Sequence, residues 1–140
     1  MLEDAGYEHY EISNYAMPGF PSIHNRAYWL GKDYLGIGPS AFSTVAMQRW
    51  QNICDYRAYA DRLFSGQSPT GFSESLTTEM KRTERVALSL RMVEGIAGSE
   101  LKQGVAEELV SLGLLQKSSG NFVLTSKGKT LADSVAEALL

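Results

Sequence analysis

Cysteine is almost absent from this chain, since Cys54 is the only one among 140 residues. A disulfide within the chain is therefore excluded, and so is a metal or iron–sulfur site built from its cysteines alone. No apolar run approaches the ~20 residues that span a bilayer. The start of the chain, Met1 to Asp4, also lacks the basic residues of a signal peptide. We expect a cytoplasmic protein without an integral membrane segment.

An excess of positive charge is also absent, because the formal net charge is −3 at pH 7. From Ser99 onward the chain has four lysines, no arginine and five acidic residues. Proteins that bind nucleic acids or acidic membranes usually carry a basic excess. We therefore expect no nucleic-acid partner.

Turn-forming residues divide the first half of the chain. The pattern predicts the end of a helix over residues 2–6, closed by Gly6, and then a strand over residues 7–12. Prolines and glycine within residues 13–25 predict an ordered loop. A short strand is predicted over residues 34–37, and the Gly-x-Gly turn that overlaps its end serves either close packing or a ligand.

Helical periodicity dominates the second half. Asp55, Ser99 and Thr125 can each cap a helix. Leu109 and Leu112 have the spacing of inward-facing residues on the second of these helices. Glycine and proline make residues 65–71 the best linker in the chain. Helices are predicted over residues 55–64, 77–93 and 99–112 and from residue 125 onward. A hairpin is predicted over residues 114–124. From residue 77 the order helix, helix, hairpin, helix is typical of a winged-helix-like module.

Several motifs then follow in one order, and together they cover almost the whole chain. They are Tyr-Glu-Ile-Ser-Asn-Tyr-Ala from Tyr10, Pro18-Gly19, His24-Asn25-x-x-Tyr28-Trp29, Tyr34-Leu35-Gly36-x-Gly38-x-x-Ala41-x-Ser43 and Arg49-Trp50-x-Asn52. This order resembles the C-terminal part of oxygen-independent coproporphyrinogen III oxidase-like proteins, which are radical S-adenosylmethionine (SAM) proteins of porphyrin metabolism. The His-Asn-x-x-Tyr-Trp motif is similar to that of the heme chaperone (HemW-type) branch, where it is associated with heme binding.

The resemblance implies a function for the intact protein. In the chaperone branch, the protein binds heme and delivers it to acceptor proteins. The alternative is the oxidase branch, which oxidatively decarboxylates coproporphyrinogen III. The family's three-cysteine motif, which holds a [4Fe–4S] cluster to which SAM binds, is not in this chain. We therefore expect the chain alone to be inactive in radical chemistry and to depend on a missing N-terminal radical SAM barrel.

The resemblance also implies the fold. We expect an α+β chain in which residues 1–48 form the C-terminal end of a radical SAM βα barrel that carries the His-Asn-x-x-Tyr-Trp loop. Residues 49–76 would be a connecting helix and linker, and residues 77–140 a winged-helix-like C-terminal domain. Strand edges of a barrel remnant would be exposed without their partners, and a homodimer would cover them.

Each residue of the candidate site has two interpretations. His24 is either an axial ligand of heme iron, for which imidazole is a good donor, or a loop histidine that hydrogen-bonds its own turn. Asn25 either orients that imidazole or closes a turn. Tyr28 and Trp29 either offer flat apolar surface to the porphyrin or pack in a core. Phe42 either contacts the SAM adenine in the intact protein or is a buried barrel aromatic.

Overall fold

The computed structural model describes the backbone of all 140 residues and the side chains of all of them except Gln103. The chain folds into two compact units, one of residues 1–31 together with 82–140, the other of residues 32–81. The division falls within a helix. It groups the chain differently from the expected parts 1–48, 49–76 and 77–140, which stay a prediction about functional domains.

Helices and antiparallel strands alternate along the chain, which confirms the mixed α and β composition. The helices are α1 Ile23–Trp29, α2 Tyr56–Phe64, α3 Thr78–Ser89, α4 Gln103–Ser111, α5 Ser126–Lys129 and α6 Ala132–Leu139. The strands are β1 Glu8–Glu11, β2 Asn14–Ala16, β3 Phe42–Val45, β4 Gln48–Asn52, β5 Thr70–Ser75, β6 Ile96–Ala97, β7 Leu115–Ser118 and β8 Asn121–Leu124. No helix among the described residues is long and apolar enough to cross a membrane.

The unit of residues 1–31 and 82–140 contains the main hydrophobic core. Strands β6, β8 and β7 form one antiparallel sheet in that order, with the predicted hairpin at β7 and β8. Burial of each large aliphatic side chain contributes roughly 1.5–3 kcal/mol. The buried cluster comprises Val86, Leu90, Ile96, Leu101, Ala106, Leu109, Leu115, Phe122, Leu124, Val135, Ala136 and Leu139. It therefore joins α3, α4, α6 and the sheet.

A second structure in this unit is the β1–β2 hairpin, in which His9 lies opposite Tyr15. The chain after α3 pairs with the end of β1. The Ile12 N–H donates to the Arg91 carbonyl at 3.1 Å, and the Val93 N–H donates to the Tyr10 carbonyl at 3.4 Å. Because these backbone groups pair with β1, they are not available to extend α3.

Several element boundaries in this unit differ from the predictions. The helix predicted over residues 77–93 ends at Ser89, for the pairing reason just given. The helix predicted to begin at Ser99 begins at Gln103, because Ser99 lies in a short 3-10 helix that ends before Leu101. Leu112, predicted to face inward, is 53% exposed. Thr125 does cap a helix, since its Oγ1 accepts a hydrogen bond from the Gly128 N–H at 3.0 Å, but that helix is only the short α5. The single last helix predicted from residue 125 onward is divided into α5 and α6, because Leu131 between them has a non-helical backbone conformation.

The unit of residues 32–81 is built on the antiparallel meander β3–β4–β5, with α2 between β4 and β5. Asp55 caps α2 as predicted, through a 2.8 Å hydrogen bond from the Ala58 N–H. Ser43, Thr44 and Asn52 are its buried polar residues. The β5 strand begins inside the predicted linker of residues 65–71, where a sequence poor in apolar residues hid it.

The strand predicted over residues 34–37 is reduced to one bridge, between Tyr34 and Thr44. Pairing stops there because the chain turns at Gly36 and Gly38. A Cβ at residue 36 would collide with the Phe42 carbonyl oxygen, and Gly38 has a φ of +105°. The Asn52 Nδ2 donates to the Gly38 carbonyl at 2.9 Å. The Gly-x-Gly segment is thus a packing turn against β3 and β4.

Candidate functional site

The His-Asn-x-x-Tyr-Trp motif lies on a helix, not on the loop that was predicted for residues 13–25. That segment contains β2 and the start of α1. Ser22 caps α1, and its Oγ accepts a hydrogen bond from the Asn25 N–H at 3.3 Å. Pro21 comes before the first helical residue, so it does not interrupt the hydrogen bonds of the helix. Asn25 therefore takes part in the helix start through its backbone.

The helical period places His24 and Tyr28 on one face of α1, because residues four apart are neighbours on a helix. Both are exposed, and so is Ile23 beside them. Among the side chains that the structure describes, none forms a hydrogen bond or ion pair with the His24 ring. The imidazole is thus exposed and not engaged by any of these side chains.

The other face of α1 is attached to the chain that follows α3. The Trp29 ring lies under the Arg91 guanidinium, with Cζ 4.4 Å from the ring centroid. Arg26 forms an ion pair with Glu94, its Nη2 being 2.7 Å from Oε1. The Tyr28 ring meets Trp29 edge to face, with centroids 5.0 Å apart. The motif is therefore divided into an exposed face and an anchored face.

Arg91 is itself held by Glu11, whose side chain is fully buried. The Nε of Arg91 donates a hydrogen bond to the Glu11 Oε1 at 3.0 Å, and the Arg91 Nη2 lies 2.7 Å from the same oxygen in an ion pair. The other carboxylate oxygen accepts from the Ser13 N–H at 3.0 Å and from the Asn14 side-chain amide. A buried carboxylate is stable only when paired and hydrogen-bonded, and both conditions are met.

Sequence reasoning missed Glu11 and Arg91. One signal was available, because an acidic residue inside an aromatic and β-branched strand is rarely buried without a partner. The partner could not have been named, since it lies in another part of the chain and many arginines were candidates. Trp29 had been assigned either to the porphyrin or to a core, and the structure places its ring on Arg91.

A cavity of about 450 Å³ lies beside the β1–β2 hairpin and is lined by Tyr10, Pro21, Arg26 and Glu94, among others. This volume is in the range of small-molecule sites. His24 does not line it. The Arg26–Glu94 ion pair occupies its wall, so the positive charge that a ligand carboxylate would need is already balanced.

Phe42 lies on β3 in the other unit and is 43% exposed, so it is not a buried aromatic. The register places it opposite Gln51 on β4, which lies opposite Phe72 on β5. The two aromatic rings thus lie on one face of the meander, with Gln51 between them. The structure brings His24, Asn25, Tyr28 and Trp29 together on one helix, and Phe42 is not in their unit.

The residues do not fit an iron–sulfur cluster. Such a cluster needs several cysteine thiolates, and Cys54 is exposed and has no second cysteine to join it. Within the described part of the chain, no group of three or more His, Cys, Asp and Glu side chains is arranged to hold a metal ion. A heme iron needs only one or two axial donors from protein, and a single exposed imidazole meets that requirement.

Comparison with known proteins gives two kinds of similarity. The heme chaperone HemW of Mycobacterium tuberculosis (strain H37Rv) is 34% identical over 142 residues, which include 99% of this chain and 36% of that protein. The heme chaperone HemW of Bacillus subtilis is 29% identical over 150 residues, 99% of this chain and 40% of its own length. No protein-family profile matches the chain.

The fold resembles that of a solved structure, the coproporphyrinogen III oxidase HemN from Escherichia coli, which is a radical SAM enzyme. The TM-score is 0.73, and the match covers 99% of this chain and 38% of that one at 18% identity. The chain thus spans less than half the length of the proteins it matches. Over almost all of its own length, it is a homologue of the C-terminal part of the proteins named heme chaperone HemW.

Proposed function

We propose that this chain is the C-terminal portion of a heme chaperone and that it helps to bind heme for delivery to an acceptor protein. One observation carries the proposal: His24 stands on the exposed face of an anchored helix, and no described side chain pairs with its ring. The names of the relatives agree with it, although they describe whole proteins of which the chain spans 36–40%.

In this proposal heme is the cargo, and His24 is one axial ligand of its iron. Tyr28, one helical turn further along the exposed face, offers an aromatic ring to the porphyrin. Asn25 lies between them on the first turn of α1 and would orient the imidazole. Trp29 contributes by anchoring α1 through its contact with Arg91.

The iron–sulfur cluster and SAM belong to the part of the relatives that this chain does not span. We propose that Phe42 contacts the SAM adenine in the longer protein, because its ring is exposed on a sheet face and is available to a flat ligand. SAM bound to such a cluster supplies radical chemistry. The residues of this chain would contribute binding surface only.

Two finer features of the fold belong to the same proposal. The order α3, α4, β7–β8 hairpin and closing helices supports a winged-helix-like lobe at residues 77–140. Residues 1–48, which include the β1–β2 hairpin, α1 and the Gly-x-Gly turn, would be the C-terminal end of a radical SAM barrel, and the N-terminal part of that barrel would be the partner of this chain.

The proposal is tested by titrating the 140-residue chain with hemin and following the Soret absorption. The chain contains two histidines, so His9 is a matched control for His24. The His9 ring is already occupied, since its Nε2–H donates to the Ile12 carbonyl at 2.9 Å and its Nδ1 accepts from Lys129 Nζ at 3.0 Å.

We expect saturable binding with a shifted Soret band in the wild type and in His9→Gln, and loss of that shift in His24→Ala. Identical titrations of all three proteins would contradict the assignment of His24. Binding that is lost only in His9→Gln would show that His9, on the β1–β2 hairpin, is the axial ligand. SAM-dependent decarboxylation of coproporphyrinogen by the longer protein, unchanged by His24→Ala, would favour the oxidase alternative.

A further inference from the structure

We propose that Arg91, fixed by Glu11, is a positioning residue for the heme site: it holds α1, and therefore His24 and Tyr28, by binding the Trp29 ring. This inference rests on the proposed function for its consequence, but its structural claim can be tested without heme. Arg91 reaches α1 through the Trp29 ring, and no described side chain pairs with the His24 ring, so we expect the effect on heme binding to act through Trp29.

Helix α1 cannot be stable alone. It has seven residues, Ile23–Trp29, whereas isolated helices shorter than about 12–15 residues are marginal in water. Its contacts with the rest of the unit must supply the missing stability. The exposed His24 contributes little, and Tyr28 packs edge to face on Trp29 of the same helix. The anchored face, with Arg26 and Trp29, therefore determines the position of the helix.

The Trp29 contact is the stronger of the two anchors. The guanidinium of Arg91 lies over the indole, with its Cζ 4.4 Å from the ring centroid. A cation over an indole face is attracted by the ring quadrupole, most strongly when it is shielded from water. Arg26 and Glu94 retain about a third to a half of their side-chain exposure, and exposed ion pairs stabilise little.

Arg91 has no freedom to move away. Its Nε donates a hydrogen bond to Glu11, and its Nη2 pairs with the same Glu11 oxygen and donates to the Ser13 Oγ at 3.3 Å. Its backbone carbonyl accepts from the Ile12 N–H. Glu11 is fixed in turn by the Ser13 N–H and by Asn14. The guanidinium is thus a rigid platform for Trp29.

Lysine cannot replace this arrangement. Its ammonium could still pair with Glu11, but it has neither a planar surface for the indole nor donors in a fixed fork. Arg91→Lys should therefore keep the buried charge balanced and release Trp29. Because His24 remains, heme should still acquire the same axial ligand, but from a helix that adopts the binding-competent position less often.

The experiment compares wild type, Arg91→Lys and Arg85→Lys by amide hydrogen exchange of residues 23–31 and by hemin titration. Arg85 is the matched control, because it lies on α3 of the same unit and pairs with Glu100 at 2.5 Å. If Arg91→Lys fails to fold, Trp29→Leu, which removes only the ring, replaces it.

In ligand-free protein, we expect the α1 amides of Arg91→Lys to exchange about five- to twentyfold faster than those of wild type and Arg85→Lys, which is the range a shielded cation–π contact supplies. Hemin affinity should fall by a similar factor with the Soret position unchanged. Equal exchange in all three proteins would overturn the positioning role, whether or not heme binds. Faster exchange without any hemin binding by wild type would leave the anchor intact and refute the proposed function.

Discussion

Glu11 meets Arg91 through a single carboxylate oxygen, which accepts a hydrogen bond from Nε at 3.0 Å and lies 2.7 Å from Nη2. This pair connects the β1–β2 hairpin to the segment that follows α3, and the same guanidinium lies over the Trp29 ring. One ion pair therefore links the helix that carries His24 to the rest of its unit.

Removing the Arg91 side chain should destabilise the chain strongly. Arg91→Ala leaves Glu11 buried without its counter-ion, and breaking such a pair costs about 3–5 kcal/mol. Because Arg91 is partly exposed, we expect the lower end of that range. Urea unfolding measures it. Lys117→Ala, which breaks an exposed pair with Glu107, should cost less than about 1 kcal/mol. Equal costs for the two variants would mean that Glu11 is solvated in solution.

The core assignment is tested by two leucines. Leu90 is 1% exposed within the main cluster, so Leu90→Ala should lower the free energy of unfolding by about 2–5 kcal/mol. Leu112, which helical spacing predicted to face inward, is largely exposed, and Leu112→Ala should cost less than about 0.5 kcal/mol. Thermal or urea unfolding compares them. A large loss of stability in Leu112→Ala would show that Leu112 faces inward, as its helical spacing predicts.

Two glycines should respond in opposite directions to alanine. Gly36→Ala places a Cβ against the Phe42 carbonyl and should destabilise the unit of residues 32–81. Gly104 lies in α4 with open space around it, so Gly104→Ala should stabilise by about 0.4–1 kcal/mol through helix propensity and reduced unfolded-chain entropy. The midpoints of urea unfolding measure the stability change of each variant. Stabilisation by Gly36→Ala would show that this turn does not pack on β3.

For Phe42, the longer radical SAM protein is the appropriate sample. If the ring contacts the adenine, Phe42→Ala should weaken SAM binding measured by equilibrium dialysis, by about five- to tenfold for the loss of one stacking partner. Phe72→Ala is the control, because Phe72 is also exposed on the same sheet face. Equal affinities for wild type and Phe42→Ala would remove Phe42 from the proposed site.

The sequence predicted elements well where a cap, a hairpin turn and apolar spacing coincided. The β7–β8 hairpin and the helix capped by Asp55 are confirmed, and Thr125 caps a helix as predicted, although the last helix is divided into α5 and α6. The β3–β4–β5 meander was not predicted, because its strands are polar. The structure buries Ser43 and Asn52 there, which apolar spacing cannot anticipate.

The candidate site shows the same limit. Residue spacing could identify His24 and Tyr28 as neighbours only once α1 was known to be a helix, and the prolines before it favoured a loop. The Glu11–Arg91 pair depends on long-range pairing of β1 with the chain after α3. A single sequence does not encode that pairing in any local signal.

The proposed heme site is tested most directly by identifying the axial ligand of the heme iron. Ferric heme complexes of chains labelled with ¹⁵N-histidine would be measured by pulsed electron paramagnetic resonance. If His24 is the axial ligand, we expect a strong ¹⁵N coupling from a coordinated imidazole in wild type and in His9→Gln, and its loss in His24→Ala. A coupling that survives in His24→Ala, or that is absent from wild type, would contradict the assignment of heme binding to His24.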